Sequence, residues 1–229
     1  MSYTPRTIAY ICELVHRQVS PDAKAIQKLH NRLFEEGSPP YSSFALTPMA
    51  AVLSNPAARP GVVSQVAFMA DRFQFREELG ALTCDGFAQR VRTITEMAAE
   101  LRGIDLFNVQ QVTIRSLVNP RHHRDSREYL KHGMFGFGNE IEVLGREPHI
   151  YGLRMVFPPE PESPTANSLR IESYAQDPRS LYLENQGTFA PLVVERGLEQ
   201  VANNVQETYR FLTDRALPFL AAFDQPAGT

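Results

Sequence analysis

Two stretches of this sequence carry apolar side chains at alternating steps of three and four, and each stripe must be covered by something. The first runs Phe87, Val91, Ile94, Ala98, Leu101; the second runs Ala202, Val205, Tyr209, Leu212, Ala216, Phe219, Phe223. This spacing follows the turn of an α-helix and sets the named residues on one face. A helix that is apolar on one side is stable when that side lies on a sheet or on another helix. Thr83 is placed to cap the first helix and Gly103 to end it. The second is expected over 195–223, with Pro218 kinking its last turns because proline has no N–H to give.

Strands supply the surface these helices need. Over 7–17, Ile8, Tyr10, Cys12 and Leu14 fall on one side, and Ala9, Ile11, Glu13 and Val15 on the other. Further strands are expected at 44–54, 62–79, 107–118, 150–157, 168–174 and 180–185. They are separated by turn-rich 55–61, a loop over 158–167 rich in proline, and Asp177-Pro178. Asp71-Arg72 marks a kink, bulge or tight turn inside 62–79. Ser20-Pro21-Asp22 starts an earlier helix, striped by Ile26, Leu29 and Leu33, which stops near Gly37 before the breaker Ser38-Pro39-Pro40. Asp125 caps a short helix over 126–132, and a further helical turn covers 140–144.

The order strand, helix, strand, kinked long strand, long helix thus occurs over 7–102 and again over 107–223. Local sequence echoes it faintly, 68–77 against 174–184. The expectation is an α+β fold: a tandem pseudo-repeat of βαββα units, 1–104 and 105–229, or one fused domain. Its sheet is mainly antiparallel, with helices packed on one face.

A net charge of −3 and a pI near 6.1 argue against a broad electrostatic footprint for nucleic acid or an anionic membrane. Nothing approaches the run of about 18 apolar residues that a membrane span needs. The first residues contain no apolar export core, so a cytoplasmic location is expected, with Cys12 and Cys84 as reduced thiols.

No glycine-rich phosphate fingerprint, paired zinc cysteines, HExxH or GxSxG occurs, so no catalytic residue, metal or cofactor is assigned. The densest polar cluster is Arg121-His122-His123-Arg124-Asp125, in which His122 and His123 are candidates for binding. Cys84 starts a helix, which favours its thiolate, while Asp85 beside it works the other way. If the apolar sides face the helices, Arg76, Arg115, Arg154 and Arg170 share the opposite face with Glu13, Glu78, Glu172, Glu184 and Tyr182. Such a face is either a platform for RNA or an acidic partner, or a solvated surface laced by cross-strand ion pairs. Phe219, Leu220 and Phe223 form a candidate interaction surface near the C-terminal end.

Leu117-Val118-Asn119-Pro120, Leu153-Arg-Met-Val-Phe157 and Glu207-Thr-Tyr-Arg-Phe-Leu-Thr213 resemble a sporadically distributed bacterial family of α+β proteins. That family has no established activity, so the resemblance implies a bacterial α+β protein and supplies no catalytic residues. The order of elements also looks like the repeated ferredoxin-like domains of CRISPR RNA-processing proteins. Those are basic and carry a glycine-rich loop near the C-terminus, and this chain departs from both habits. The leading expectation is a non-enzymatic module that binds a protein partner, or a second copy of itself, through the polar sheet face or the C-terminal helix. The alternatives are an RNA-binding or RNA-processing protein, and a small-ligand binder at the seam between the halves.

Overall fold

The structure, a computed structural model, describes residues 3–20, 22–37 and 40–225. Pro21 of the expected helix start and Ser38-Pro39 of the expected breaker lie outside these residues. The fold is α+β. Ten strands among the described residues form one antiparallel sheet. In chain order they are β1 (Arg6–His16), β2 (Ser43–Leu46), β3 (Ala51–Ser54), β4 (Val63–Phe68) and β5 (Arg72–Glu78). Then come β6 (Leu106–Val118), β7 (Gly152–Phe157), β8 (Ala166–Ser173), β9 (Leu181–Phe189) and β10 (Leu192–Val193).

Across the sheet the order is β2-β3-β4-β5-β1-β6-β9-β8-β7, with β10 on β6. β10 resumes the line of β9 along β6 after Ala190-Pro191, since Phe189 lies opposite Gln110 and Leu192 opposite Phe107. At the centre, β1 and β6 pair from Arg6–Leu117 to His16–Phe107. The sheet therefore runs unbroken across the 104/105 boundary.

The helices are α1 (Ala23–Glu35), α2 (Cys84–Arg102), α3 (Ser126–Glu128), α4 (Glu199–Phe211) and α5 (Leu217–Phe223). None is long and apolar enough to cross a membrane. Caps form where the side chains call for them. Asp22 accepts from the amides of Lys24 and Ala25, Thr83 from Gly86, and Asp125 from Arg127 and Glu128. Gly103 ends α2 in the left-handed conformation.

The period of two sorts each strand. Tyr10, Cys12 and Leu14 of β1, Phe73 and Phe75 of β5, Val112 and Ile114 of β6, and Leu181 and Leu183 of β9 are all buried. With Phe87, Val91, Ile94 and Ala98 of α2 they make the core, and a fully buried large side chain of this kind contributes about 1.5–3 kcal/mol. α2 and α4 pack side by side over this face, running in opposite directions. Arg92 meets Glu199 at 3.2 Å, and Gln206 donates to Asp85 at 3.0 Å. α1 packs beside α2 over β2 and β3.

Three expected elements differ. The stretch 44–54 is the β2–β3 hairpin, not one strand, because Pro48 has no N–H for a ladder; Thr47 closes the turn, its amide donating to Ala50 O at 2.9 Å. The stretch 62–79 is not one strand but the β4–β5 hairpin; of the kink, bulge or tight turn expected at Asp71-Arg72 the tight turn forms, closed by the Met69 amide donating to Arg72 O at 2.9 Å. The chain up to Arg102 therefore reads β-α-β-β-β-β-α. The C-terminal helix starts at Glu199, since a short turn over Val194–Arg196 ends at Gly197 with φ +88°.

That helix is also not regular. Between α4 and α5, Leu212–Ala216 is a wide π turn in which the Leu217 amide donates to Leu212 O, five residues back. The extra residue rotates everything after it by about 100°. It lies just before Pro218, which cannot donate to a regular helical bond. The inward residues are consequently Val201, Val205, Leu212, Ala216, Leu217 and Leu220. Leu220 is 0% exposed and belongs to the core, so the expected surface of Phe219, Leu220 and Phe223 is corrected to two rings. Phe219 is 37% exposed and lies edge-on to the partly buried Phe223.

A polar network ties α4 to the sheet. Gln110 Nε2 donates to Val201 O at 3.0 Å, and its Oε1 accepts from Asn204 at 2.7 Å. Asn185 Nδ2 donates to Thr208 O at 3.0 Å and to Asn167 at 3.2 Å. α4 comes this close because Gly187 has no side chain: a Cβ there would stand 2.6 Å from Thr208 Oγ1 and 2.9 Å from the Phe189 ring. Gly187→Ala is expected to cost about 1–3 kcal/mol in urea unfolding. Gln186→Ala, one residue away on the opposite face, should change stability by less than about 0.5 kcal/mol.

Candidate binding face and the histidine loop

The side of the sheet away from α2 and α4 is polar and carries all four arginines expected there. Register sets one row straight across it: Glu78, Ala9, Arg115, Glu184, Arg170, Arg154 on β5, β1, β6, β9, β8 and β7. Arg76 lies in the next row, opposite Ile11. Opposite charges meet through most of this surface. Arg115 Nε donates to Glu184 at 2.7 Å, Arg170 grips Glu172 with bonds of 2.6 and 2.8 Å, and Arg76 Nε donates to Glu78 at 2.9 Å. Gln74 donates to Glu13 at 2.5 Å, and Arg72 lies 3.6 Å from the same carboxylate. Tyr182 donates to Glu184 at 2.8 Å, stacks beside Tyr174, and lies under the Arg170 guanidinium at 5.7 Å.

Burial works to raise the Glu184 carboxyl, but the bonds from Tyr182 and Arg115 outweigh it and hold the group below the usual carboxylate range. Arg154 differs from its neighbours. It is exposed, its side chain donates to Ser168 Oγ at 3.0 Å, and among the described residues it has no carboxylate within ion-pair distance. Arg154 lies directly opposite Arg170, a like-charged pair. Beside them is a hollow of about 490 Å³, lined by Gly152, Arg154, Ser168, Arg170, Glu172 and Gln186 among others. Gly152 lets the Glu172 side chain of this lining pack close, since a Cβ there would meet Glu172 Cγ at 2.6 Å.

His122 and His123 belong to a different neighbourhood and do not converge. The loop folds around the carboxylate of Asp224, which the sequence reading missed. Tyr3 donates its hydroxyl to Asp224 at 2.5 Å, and the amides of Arg121 and His122 donate at 2.6 and 3.0 Å. His123 Nδ1 adds a bond of 3.2 Å, while its Nε2 is packed toward Gly133, where a Cβ would lie 3.0 Å away. His123 is thus held through Nδ1, with its other edge packed beside Gly133, and His122 is exposed. No local motif announces Asp224, because its partners lie about a hundred residues or more away in sequence.

Cys84 is free and partly buried, and burial, followed by the charge of Asp85, pushes its thiol up to about 12. It lines a hollow of about 540 Å³ between β1, the start of α2 and α4, with Tyr10, Asp85, Gln206, Tyr209 and Arg210. This hollow lies where the two segments of the chain meet. Under α2, Arg90 forms an ion pair with Glu77, which also accepts from Ser64 at 2.7 Å. Burial raises the Glu77 carboxyl.

No known protein-family model matches the chain, and no curated protein matches it.

For Asp224 the sign of the pH effect follows from its partners. Burial works to raise this carboxyl, but the bonds from Tyr3, Arg121, His122 and His123 hold it below the usual range. The folded state therefore binds its proton less readily than the unfolded chain. The resulting stability is complete above the ordinary carboxylate pKa and is lost as pH falls through the folded value. Asp224→Asn should lose about 1–3 kcal/mol at pH 7. The gap to the natural chain should narrow below about pH 4, as read by urea unfolding at both pH values.

Proposed function

We propose that this chain is a non-enzymatic protein-interaction module that engages a protein partner through the open face of its sheet. The observation that carries the reading is the charge pattern of that face. Arg115, Arg170 and Arg76 each hold a glutamate, so the surface offers alternating signs and a hollow rather than a positive stripe. Alternating charge suits a partner that presents the complementary alternation, and gives specificity through register. A polyanion such as RNA finds three of the four arginines here already engaged, Arg154 excepted, which weakens the RNA reading. Two candidates for chemistry are engaged too: His123 by Asp224, and Cys84 by burial that keeps the thiol protonated.

We also propose that the two segments are duplicates of one unit. Outward from the centre, the strand order β1-β5-β4-β3 is echoed by β6-β9-β8-β7, with α2 and α4 following corresponding strands. A bacterial, cytoplasmic setting accords with this reading.

The test is capture from host lysate on immobilised protein, with and without nuclease. The expected result is a protein retained after nuclease treatment and reduced roughly fivefold or more by Arg170→Glu, which breaks the row one strand in from its end. Elution of nucleic acid alone, or of a monomer with no companion, overturns the proposal. A second reading, a small-ligand site, has the seam hollow in its favour. It predicts that a ligand raising the melting temperature does so less in Tyr10→Phe, with chemical shifts confined to the ends of α2 and α4.

A further inference from the structure

We propose that β7 is a docking edge, on which an extended segment of a partner protein adds as a further antiparallel or parallel strand, and that this segment alternates apolar side chains with at least one carboxylate. The inference rests on the interaction reading above and specifies where and by what chemistry the partner is held. β7 pairs with β8 on one side and ends the sheet on the other. Natural sheets blunt such an edge with charged side chains, proline, a bulge or a cover, and Arg154 is the one such guard on β7. The six residues Gly152–Phe157 contain no lysine or proline, and their register with β8 has no shift. Their backbone donors and acceptors are therefore presented in the form an incoming strand requires.

The occupant's pattern follows from the two faces of β7. On the helix side stand Leu153, Met155 and Phe157, the last against Phe211 with ring centroids 5.3 Å apart. The other end of the edge, at Gly152, opens on a mainly apolar hollow of about 480 Å³, lined by Phe135, Phe137, Ile141, Leu144, Ile150 and Tyr151. Leu144 is 63% exposed and Val143, beside it in the chain, 89%. An added strand would lay its inward residues along this strip and recover apolar area. On the open side the row reads Glu78, Ala9, Arg115, Glu184, Arg170, Arg154 and then stops. Arg154 ends it beside a like charge and without a carboxylate among the described residues. The position opposite Arg154 on an added strand is where an acid completes the alternation.

A second copy of the chain does not supply that acid. A twofold pairing of β7 with itself that keeps the faces aligned sets Arg154 against Gly152, Arg154 or Val156, none of them an acid. The other outer strand, Ser43-Phe44-Ala45-Leu46, contains no carboxylate. The partner is therefore a different protein.

The test pans a displayed library of random nine-residue segments against the full chain and, in parallel, against Arg154→Glu. Arg154 is exposed and its contacts are slight, so circular dichroism should show both proteins equally folded. The natural chain should enrich segments that alternate β-branched or aromatic residues with polar ones and carry Asp or Glu at one polar position. Arg154→Glu should enrich Lys or Arg there instead, and should bind the acidic segments roughly fivefold or more weakly. Bound segments should slow amide hydrogen exchange within 152–157. Val156→Pro, which removes an edge-facing β7 amide and spares the ladder to β8, should lose binding in both backgrounds, and Arg154→Gln should weaken it without reversing the charge preference. Enrichment indifferent to the charge at 154 overturns the proposal. Protection that falls on β6 or β9 while 152–157 exchanges unchanged overturns the edge and leaves the interaction reading standing. Absence of any enrichment overturns the edge, and capture of a nuclease-resistant partner then decides the broader reading separately. A concentration-dependent dimer that shields 152–157 replaces the partner strand with a second copy and overturns it as well.

Discussion

The pairing of β1 with β6 is the interaction on which the rest depends. It joins residues 6–16 to residues 107–117, and all the other strands are reached by moving outward from it. Without it each segment of the chain would keep a sheet ending at the strand that now lies at the centre. The stripes of α2 and α4 would each lie over half a floor. With it, Tyr10 and Cys12 stand against Ile114 and Val112, and the two helices share a single apolar layer. The pairing is long-range, so its cost in chain entropy is met before the packing that rewards it is complete.

A strand buried on one face only must serve two environments with one string of residues. In β5 the alternation puts Phe73, Phe75 and Glu77 under the helices and Gln74, Arg76 and Glu78 outside. Glu77 is tolerated inside because Arg90 and Ser64 satisfy it. On the outer face the charges are arranged by register rather than by sequence neighbourhood. Arg115 and Glu184 are 69 residues apart and meet because β6 and β9 align them. The result is a surface whose net sign is small while its local pattern is definite, a form of information suited to recognition by shape and order.

The parts of this fold that could be read from the sequence are those governed by local period. The stripes of α1 and α2, the caps Thr83 and Asp125, and the outward placement of Arg76, Arg115, Arg154 and Arg170 all follow from spacing alone. What was lost depended on single residues or on distant partners. Pro48 breaks a strand that otherwise alternates well. One extra residue in the π turn moves the inward position from Phe219 to Leu220, a shift no regular helical period contains. Gln110 keeps step with Val112 and Ile114, but its partner Asn204 lies 94 residues away and gives no local sign. Asp224 follows the same logic: its role exists only once the loop at 121–123 and Tyr3 have been brought to it. The histidine pair drew notice as a dense cluster, and density in sequence did not become convergence in space.

The central position of β1 has a consequence in time as well as in space. β6 ends at Val118, roughly a hundred residues after β1 ends at His16. At synthesis rates of about 5–20 residues per second, β1 emerges some 5–20 s before its second neighbour is available. During that interval the strand that will lie deepest in the sheet is an edge, carrying Tyr10, Cys12 and Leu14 on one side. The nascent chain thus passes through a stage in which its future centre is its most exposed margin, and a holding chaperone or quick closure of the β4–β5 hairpin onto β1 would matter most then.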